Sequence, residues 1–181
     1  KVDEPTTGLD ATVEATILDL VRELQAEMNA AVLLIAHNLG VVRTMCDRVG
    51  VMYLGKIVEE GDAVRVFESP QHPYTVGLLQ SLPRRGVRKS ERALATIPGT
   101  LPQIGTYLPT CVFVDRCPLA TELCRTEAPP VVQLPDGQWT RCHHRERIPE
   151  LLAATHGTGT ESATGETNLT LTRVSKTFRQ G

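Results

Sequence analysis

Between Ala11 and Asn29 the apolar residues Val13, Ile17, Leu20, Val21, Leu24 and Met28 recur at steps of three and four. Glu14, Asp19, Arg22, Glu23, Gln25 and Glu27 fill the opposite side. That period describes an amphipathic helix, with Asp10 as its N-cap. Ala31 to Ala36 is apolar without alternation, the pattern of a strand covered on both faces of a sheet. Asn38 to Cys46 reads as a short helix. Val49–Tyr53 and Lys56–Glu59 read as two strands joined at Leu54-Gly55. Strands and helices in alternation make an α/β pattern. At the start, Lys1-Val2 reads as the stump of a buried strand, so the chain is expected to be a fragment.

Composition narrows this picture only a little. The chain has 181 residues, 41% of them hydrophobic, which suits one domain or one and a fraction. A net charge of −2 exerts no bulk pull on nucleic acid or anionic lipid. The longest apolar run, Ala30 to Ala36, is too short to span a bilayer.

The stretch Gly50-Val51-Met52-Tyr53-Leu54-Gly55-Lys56 fits the first seven positions of a phosphate-binding G-x-x-x-x-G-K loop. The next residue is Ile57, which has no hydroxyl for Mg²⁺, and the interior is bulky and apolar. No helix follows to point its N-terminus at a phosphate. It reads as a hairpin.

The chemistry concentrates at the start, in Asp3-Glu4-Pro5-Thr6-Thr7-Gly8-Leu9-Asp10. One of two adjacent carboxylates can hold the water shell of Mg²⁺, and the other can polarise a water that attacks a γ-phosphate. His37 follows at the end of the apolar run. In this order the octapeptide, helix, strand and His resemble the ATP-binding-cassette (ABC) ATPases. The resemblance implies that Asp3-Glu4 closes the Walker B strand and that Thr7-Gly8-Leu9-Asp10 is the D-loop. It also implies that His37 touches the γ-phosphate and that Asp10 helps couple two sites across a dimer. Val51-Met52 through Gly61 is similar to the family's V-M-x-x-G-x-I-V-E-x-G signature, with Asp62 to Glu68 as the following helix. Asn38 stands where Asp is common, and Ala36 where Thr or Ser is common. The Walker A loop, Q-loop and LSGGQ signature are expected upstream, so the fragment alone is expected to be inactive.

Past Ser69-Pro70 the composition shifts. Gln71 to Leu79 reads as a short helix with Pro73 near its first turn, and His72 as a turn residue rather than a ligand. Arg84, Arg85, Arg88 and Lys89 have no interleaved aromatics and read as a solvated loop. His72-Pro73-Tyr74-Thr75 and Ile97-Pro98-Gly99-Thr100-Leu101-Pro102 resemble the C-terminal extension of oligopeptide, dipeptide and nickel importer ATPases. That resemblance covers roughly residues 2 to 150.

Cys111, Cys117, Cys124 and Cys142 are spaced C-x₅-C-x₆-C-x₁₇-C. Cys117-Pro118 is expected to open a helix that carries Cys124 on the same face. Four thiols so gathered can close on an iron–sulfur cluster or on zinc, or remain disulfides or plain core thiols. His143 and His144 keep a Cys₃His zinc site open. The importer resemblance implies a [4Fe–4S] cluster, with Zn²⁺ as the alternative. Cys46 is expected to be a buried thiol on an apolar helix position.

Residues 151–168 carry little apolar content past the first few positions and read as a flexible linker. Leu169 to Val174 alternates as a strand, similar to the first strand of a second ABC domain, with Phe178 where an aromatic stacks on adenine. The expected layout is therefore 1–70, the C-terminal part of a P-loop NTPase of ABC type; 71–150, an irregular Cys-rich metal-binding extension; 151–168, linker; and 169–181, the start of a second ATPase domain. The resemblance implies an ATP- and Mg²⁺-dependent ATPase at the cytoplasmic face of the cell membrane, powering peptide import. Its implied partners are transmembrane permease subunits, a fused second ATPase domain and, indirectly, an extracytoplasmic solute-binding protein. No nucleic-acid partner is expected. The rival is a metal-cluster-bearing regulatory or interaction module with a vestigial ATPase site.

Overall fold

The computed structural model describes residues 2–5, 8, 10–82, 96–100 and 109–156. Strand β1 (Val2–Asp3) leads to α1 (Ala11–Met28) and back to β2 (Leu34–Ile35), which pairs with β1 in parallel. Asp10 caps α1 as its position suggests, accepting from the Thr12 and Val13 amides at 2.9 Å. Asn29 closes the helix in the left-handed region, at φ 47°.

The apolar run Ala31–Ala36 forms only the two-residue β2. Its Val32, Leu33 and Ile35 are exposed, as are Val13, Leu20, Leu24 and Met28 of α1. The expectation of a strand covered on both faces is therefore not met. Among the described residues β1 alone pairs with β2, and no second layer closes over the run.

The hairpin is as expected but longer. After α2 (Leu39–Met45) come β3 (Arg48–Tyr53) and β4 (Lys56–Asp62), joined at Leu54 (φ 45°) and Gly55 (φ 76°). Two successive positive φ values make the tight turn whose twist matches the flanking strands. Val49, Val51 and Tyr53 point inward while Arg48, Gly50 and Met52 point out. Asp62 then caps α3 (Ala63–Glu68).

The extension begins at α4 (Pro73–Gln80) and continues through a short 3₁₀ turn, Val114–Arg116, to α5 (Glu122–Thr126). Strands β5 (Val132–Gln133) and β6 (Trp139–Thr140) add to the hairpin, giving the antiparallel order β3-β4-β6-β5. Gly61 allows this junction, because a Cβ there would lie 2.9 Å from Gln138 Cγ. Helix α6 (Ile148–His156) closes the described chain and occupies the first six residues of the expected 151–168 linker. Leu151 and Leu152 pack on Val76, Leu119 and Ile148, which is why the helix continues there.

One core unites hairpin and extension. Val49, Val51, Tyr53, Val58, Ala63 and Val66 pack with Cys111, Phe113, Val114 and Cys124. Phe113 lies edge-on to Tyr53 at 5.2 Å and against Tyr74 at 5.4 Å. The extension is thus irregular in backbone but continuous with the β3–β4 hairpin in packing.

Candidate functional site

Parallel pairing of β1 and β2 sets Asp3 opposite Ile35, and the Glu4 amide donates to the Ile35 carbonyl at 2.8 Å. The chain turns sharply at Glu4, whose φ of 41° is rare for a residue with a Cβ. Two residues past β2, His37 Nδ1 stands 3.1 Å from Glu4 Oε1. Residues 33 positions apart are thereby joined by the sheet alone. The side chains are 71% and 46% exposed, open to a solvent-borne substrate. Asp3 and Glu4 are oxygen donors of the kind Mg²⁺ takes.

Asn38 caps α2 through the Gly40 amide at 3.0 Å and so replaces the more common Asp without losing the cap. Asp10 is committed to capping α1, its side chain accepting from the Thr12 and Val13 amides. Arg22 ties α1 to α2, donating to the Thr44 carbonyl at 3.0 Å while Asp19 holds its other nitrogen at 2.9 Å. Thr6, Thr7, Leu9 and Phe178, the basic patch 84–89 and the strand 169–174 lie outside the described residues.

All five cysteines are free thiols. Cys111, Cys124 and Cys142 are buried and Cys117 is half-buried. The expected helix opening at Cys117-Pro118 is not there. Cys117 ends the 3₁₀ turn and α5 starts five residues later, so Cys117 and Cys124 share no helix face. The thiols still gather: the Cys111 amide donates to the Cys124 carbonyl at 3.1 Å. Burial pushes Cys117 up to about 11 and Cys142 up to about 12 and also raises Cys111; every pair of the four adds mutual repulsion. Four crowded, desolvated sulfurs have the chemistry of a soft-metal donor set. Yet among the described residues no group of three or more His, Cys, Asp or Glu side chains is set to hold a metal ion.

The two histidines are engaged elsewhere. His144 Nε2 meets Thr121 Oγ1 at 2.7 Å, and His143 Nε2 meets the Glu127 carbonyl at 3.2 Å. Cys46 is half-buried rather than buried, and it terminates α2 instead of lying within it. Burial, then the Asp47 charge, raises its pKa.

Two buried groups escaped the sequence reading. His72 is 1% exposed and caps α4, its Nδ1 accepting from the Tyr74 amide at 3.1 Å. Glu59 is fully buried, and its Oε1 accepts from the Gln71 amide and from Gln138 Nε2, both at 2.6 Å. The signature V-M-x-x-G-x-I-V-E-x-G contains Glu59, but a Glu at a strand end reads as solvent-facing until its partners are known.

The family described as "Oligopeptide/dipeptide transporter, C-terminal region" matches residues 58–124. A putative peptide import ATP-binding protein of Brucella ovis is 44% identical over 150 residues, covering 81% of this chain and 44% of the relative. The dipeptide transport ATP-binding protein DppD of Escherichia coli K12 is 42% identical over 142 residues, 78% of this chain and 43% of the relative. The oligopeptide transport ATP-binding protein OppD of Haemophilus influenzae is 45% identical over 141 residues, 77% of this chain and 42% of the relative. The chain thus spans under half the length of these relatives. Among the described residues no helix is long and apolar enough to cross a membrane. Aligned at this identity along four-fifths of its length, the chain belongs to the oligopeptide/dipeptide transporter family of ABC ATP-binding subunits.

Proposed function

We propose that this chain is the water-activating part of an ATP-hydrolysing subunit that energises peptide import through an ABC transporter. The observation that carries the reading is the Glu4–His37 pair at 3.1 Å beside Asp3. Mg²⁺ would be held by Asp3 through its water shell and would neutralise charge on the phosphates. Glu4 orients and polarises the attacking water. His37, bonded to Glu4, fixes that carboxylate and reaches the γ-phosphate. Catalysis by such residues is positioning and electrostatics. Peptides as the transported class are supported by the names of the relatives, which give peptide import, dipeptide transport and oligopeptide transport. Permease partners and a site at the cytoplasmic membrane face would follow from the importer reading itself.

Cys111, Cys117, Cys124 and Cys142 would hold a [4Fe–4S] cluster with a structural role, supplying cross-links to a stretch poor in periodic apolar residues. The support is their mutual crowding and their all-sulfur character. Residues 169–181, with Phe178 for adenine, would begin a fused second ATPase domain; the support there is the alternation of Leu169 to Val174.

The deciding experiment is Glu4→Gln in the full-length transporter. Turnover should collapse while ATP binding survives. Near-normal turnover would remove Glu4 from the reaction and favour a regulatory module with a vestigial site.

A further inference from the structure

We propose that Glu59 is a positioning residue for His37, fastening the extension onto the β3–β4 hairpin and acting through their common core. The inference rests on the ATPase reading above. Glu59 sits where three segments meet: β4, the 69–72 turn and β6. Its Oε1 takes two hydrogen bonds of 2.6 Å, from the Gln71 amide and from Gln138 Nε2. Gln138 Nε2 also donates to the Ser69 carbonyl at 3.2 Å. Thr140, directly across from Glu59 in the sheet, donates to the Val58 and Gln71 carbonyls at 3.3 and 3.2 Å. Donors 12 and 79 positions along the chain from Glu59 therefore converge on one carboxyl oxygen.

The other oxygen bears on protonation. Among the described residues, Glu59 Oε2 and Thr75 Oγ1 are the buried side-chain oxygens without a hydrogen bond. They are neighbours, since Thr75 lowers the Glu59 pKa against the larger upward push of burial. The groups around Glu59 are Thr75 from α4, Gln71 and the His72 backbone from the turn, and Gln138 from the extension. His72 is neutral, its pKa lowered to about 3 by burial. The charges on the packed elements are occupied elsewhere: Arg48 of β3 pairs with Glu60, Arg65 of α3 reaches Asp136, and Asp62 caps α3. Burial with no cation facing it among the described residues raises the Glu59 pKa, a shift toward the protonated form. In the protonated form Oε2 can donate to the Thr75 hydroxyl, which would pair both oxygens.

The route to His37 is short. Val58, next to Glu59, is 1% exposed in the core that Val42 of α2 and its C-cap Cys46 also contact. Helix α2 begins two residues after His37. A hairpin shifted by loss of Glu59 moves α2, and with it the histidine.

The test uses the full-length transporter with Glu59→Gln and Glu59→Ala. Glutamine keeps the Oε1 acceptor and places an N–H donor where the acid proton stood. It should preserve turnover and ATP KM. Alanine should lower kcat by roughly tenfold or more with KM little changed, as expected for misplacement rather than lost binding. The wild type should decline on the alkaline side more steeply than Glu59→Gln, because the raised pKa leaves the fastening intact in acid and loses it as pH rises. Hydrogen exchange at residues 36–45 should quicken in Glu59→Ala and stay wild-type in Glu59→Gln. Superimposable pH profiles, or a Gln variant as impaired as Ala, would overturn the proposal. If Glu4→Gln kept turnover, the ATPase reading would fall, and the exchange comparison would still decide on Glu59.

Discussion

His72 offers a sharp pH experiment. It is 1% exposed, lies 5.8 Å from the Phe113 ring and caps α4 with a nitrogen that must stay unprotonated. Burial lowers its pKa from 6.5 to about 3, with the Arg141 backbone pulling weakly the other way. Because the folded value lies below the unfolded one, the neutral ring's contribution is complete above pH 6.5. It is lost as pH falls toward 3. Each pH unit in that window removes one proton's worth, about 1.4 kcal/mol, so the loss from pH 7 to 4.5 is about 2.5 kcal/mol. Glu59 works in the opposite sense, gaining as pH falls, so the wild type alone would blur the result. The comparison is His72→Asn, which keeps a capping oxygen and does not titrate. Its smaller side chain leaves space against Phe113, a cost independent of pH. Urea unfolding followed by the single tryptophan, Trp139, at several pH values gives the two slopes. The wild type should lose about 2.5 kcal/mol more than the variant between pH 7 and 4.5. Parallel profiles would mean that His72 protonates in place and that its burial carries no such penalty.

Other outcomes follow from the packing. Purified without oxygen, the full-length protein should contain iron and sulfide and absorb in the visible; stoichiometric zinc in a colourless protein would replace the cluster with zinc. Because Cys111 and Cys124 share a core with Val58 and Val66, Cys→Ser variants should become protease-sensitive in the hairpin as well as the extension. Gly61→Ala drives a Cβ to 2.9 Å from Gln138 Cγ and 3.3 Å from its Cα. It should cost about 1–3 kcal/mol in the same urea assay, and an unchanged midpoint would show that β6 can yield there.

Legibility differed by element. The helix 11–28 and the hairpin 48–62 could be read because their periods, cap and turn are local. The helix expected at Cys117-Pro118 failed because a proline licenses a helix start without requiring one; the chain there makes a 3₁₀ turn and caps α5 at Thr121 instead. The start of the 151–168 linker failed because its first residues, Leu151 and Leu152, are apolar enough to extend α6. His72 looked like a surface turn, since nothing beside it signals that Phe113 and Arg141 close over it.

The sequence by itself determined the chemistry on offer: Asp3-Glu4, then His37 after an apolar run, and four spaced thiols. It also determined the local shapes that carry them, because caps, periods and tight turns depend on neighbours a few residues away. Tertiary structure alone decided which of these meet. The 3.1 Å Glu4–His37 contact exists because two strands pair in parallel, and the Glu59 pKa is raised because α4, β6 and the 69–72 turn together exclude water from it. Burial and pairing are long-range properties. They arise from segments far apart in sequence competing for one core, and no local window contains that information.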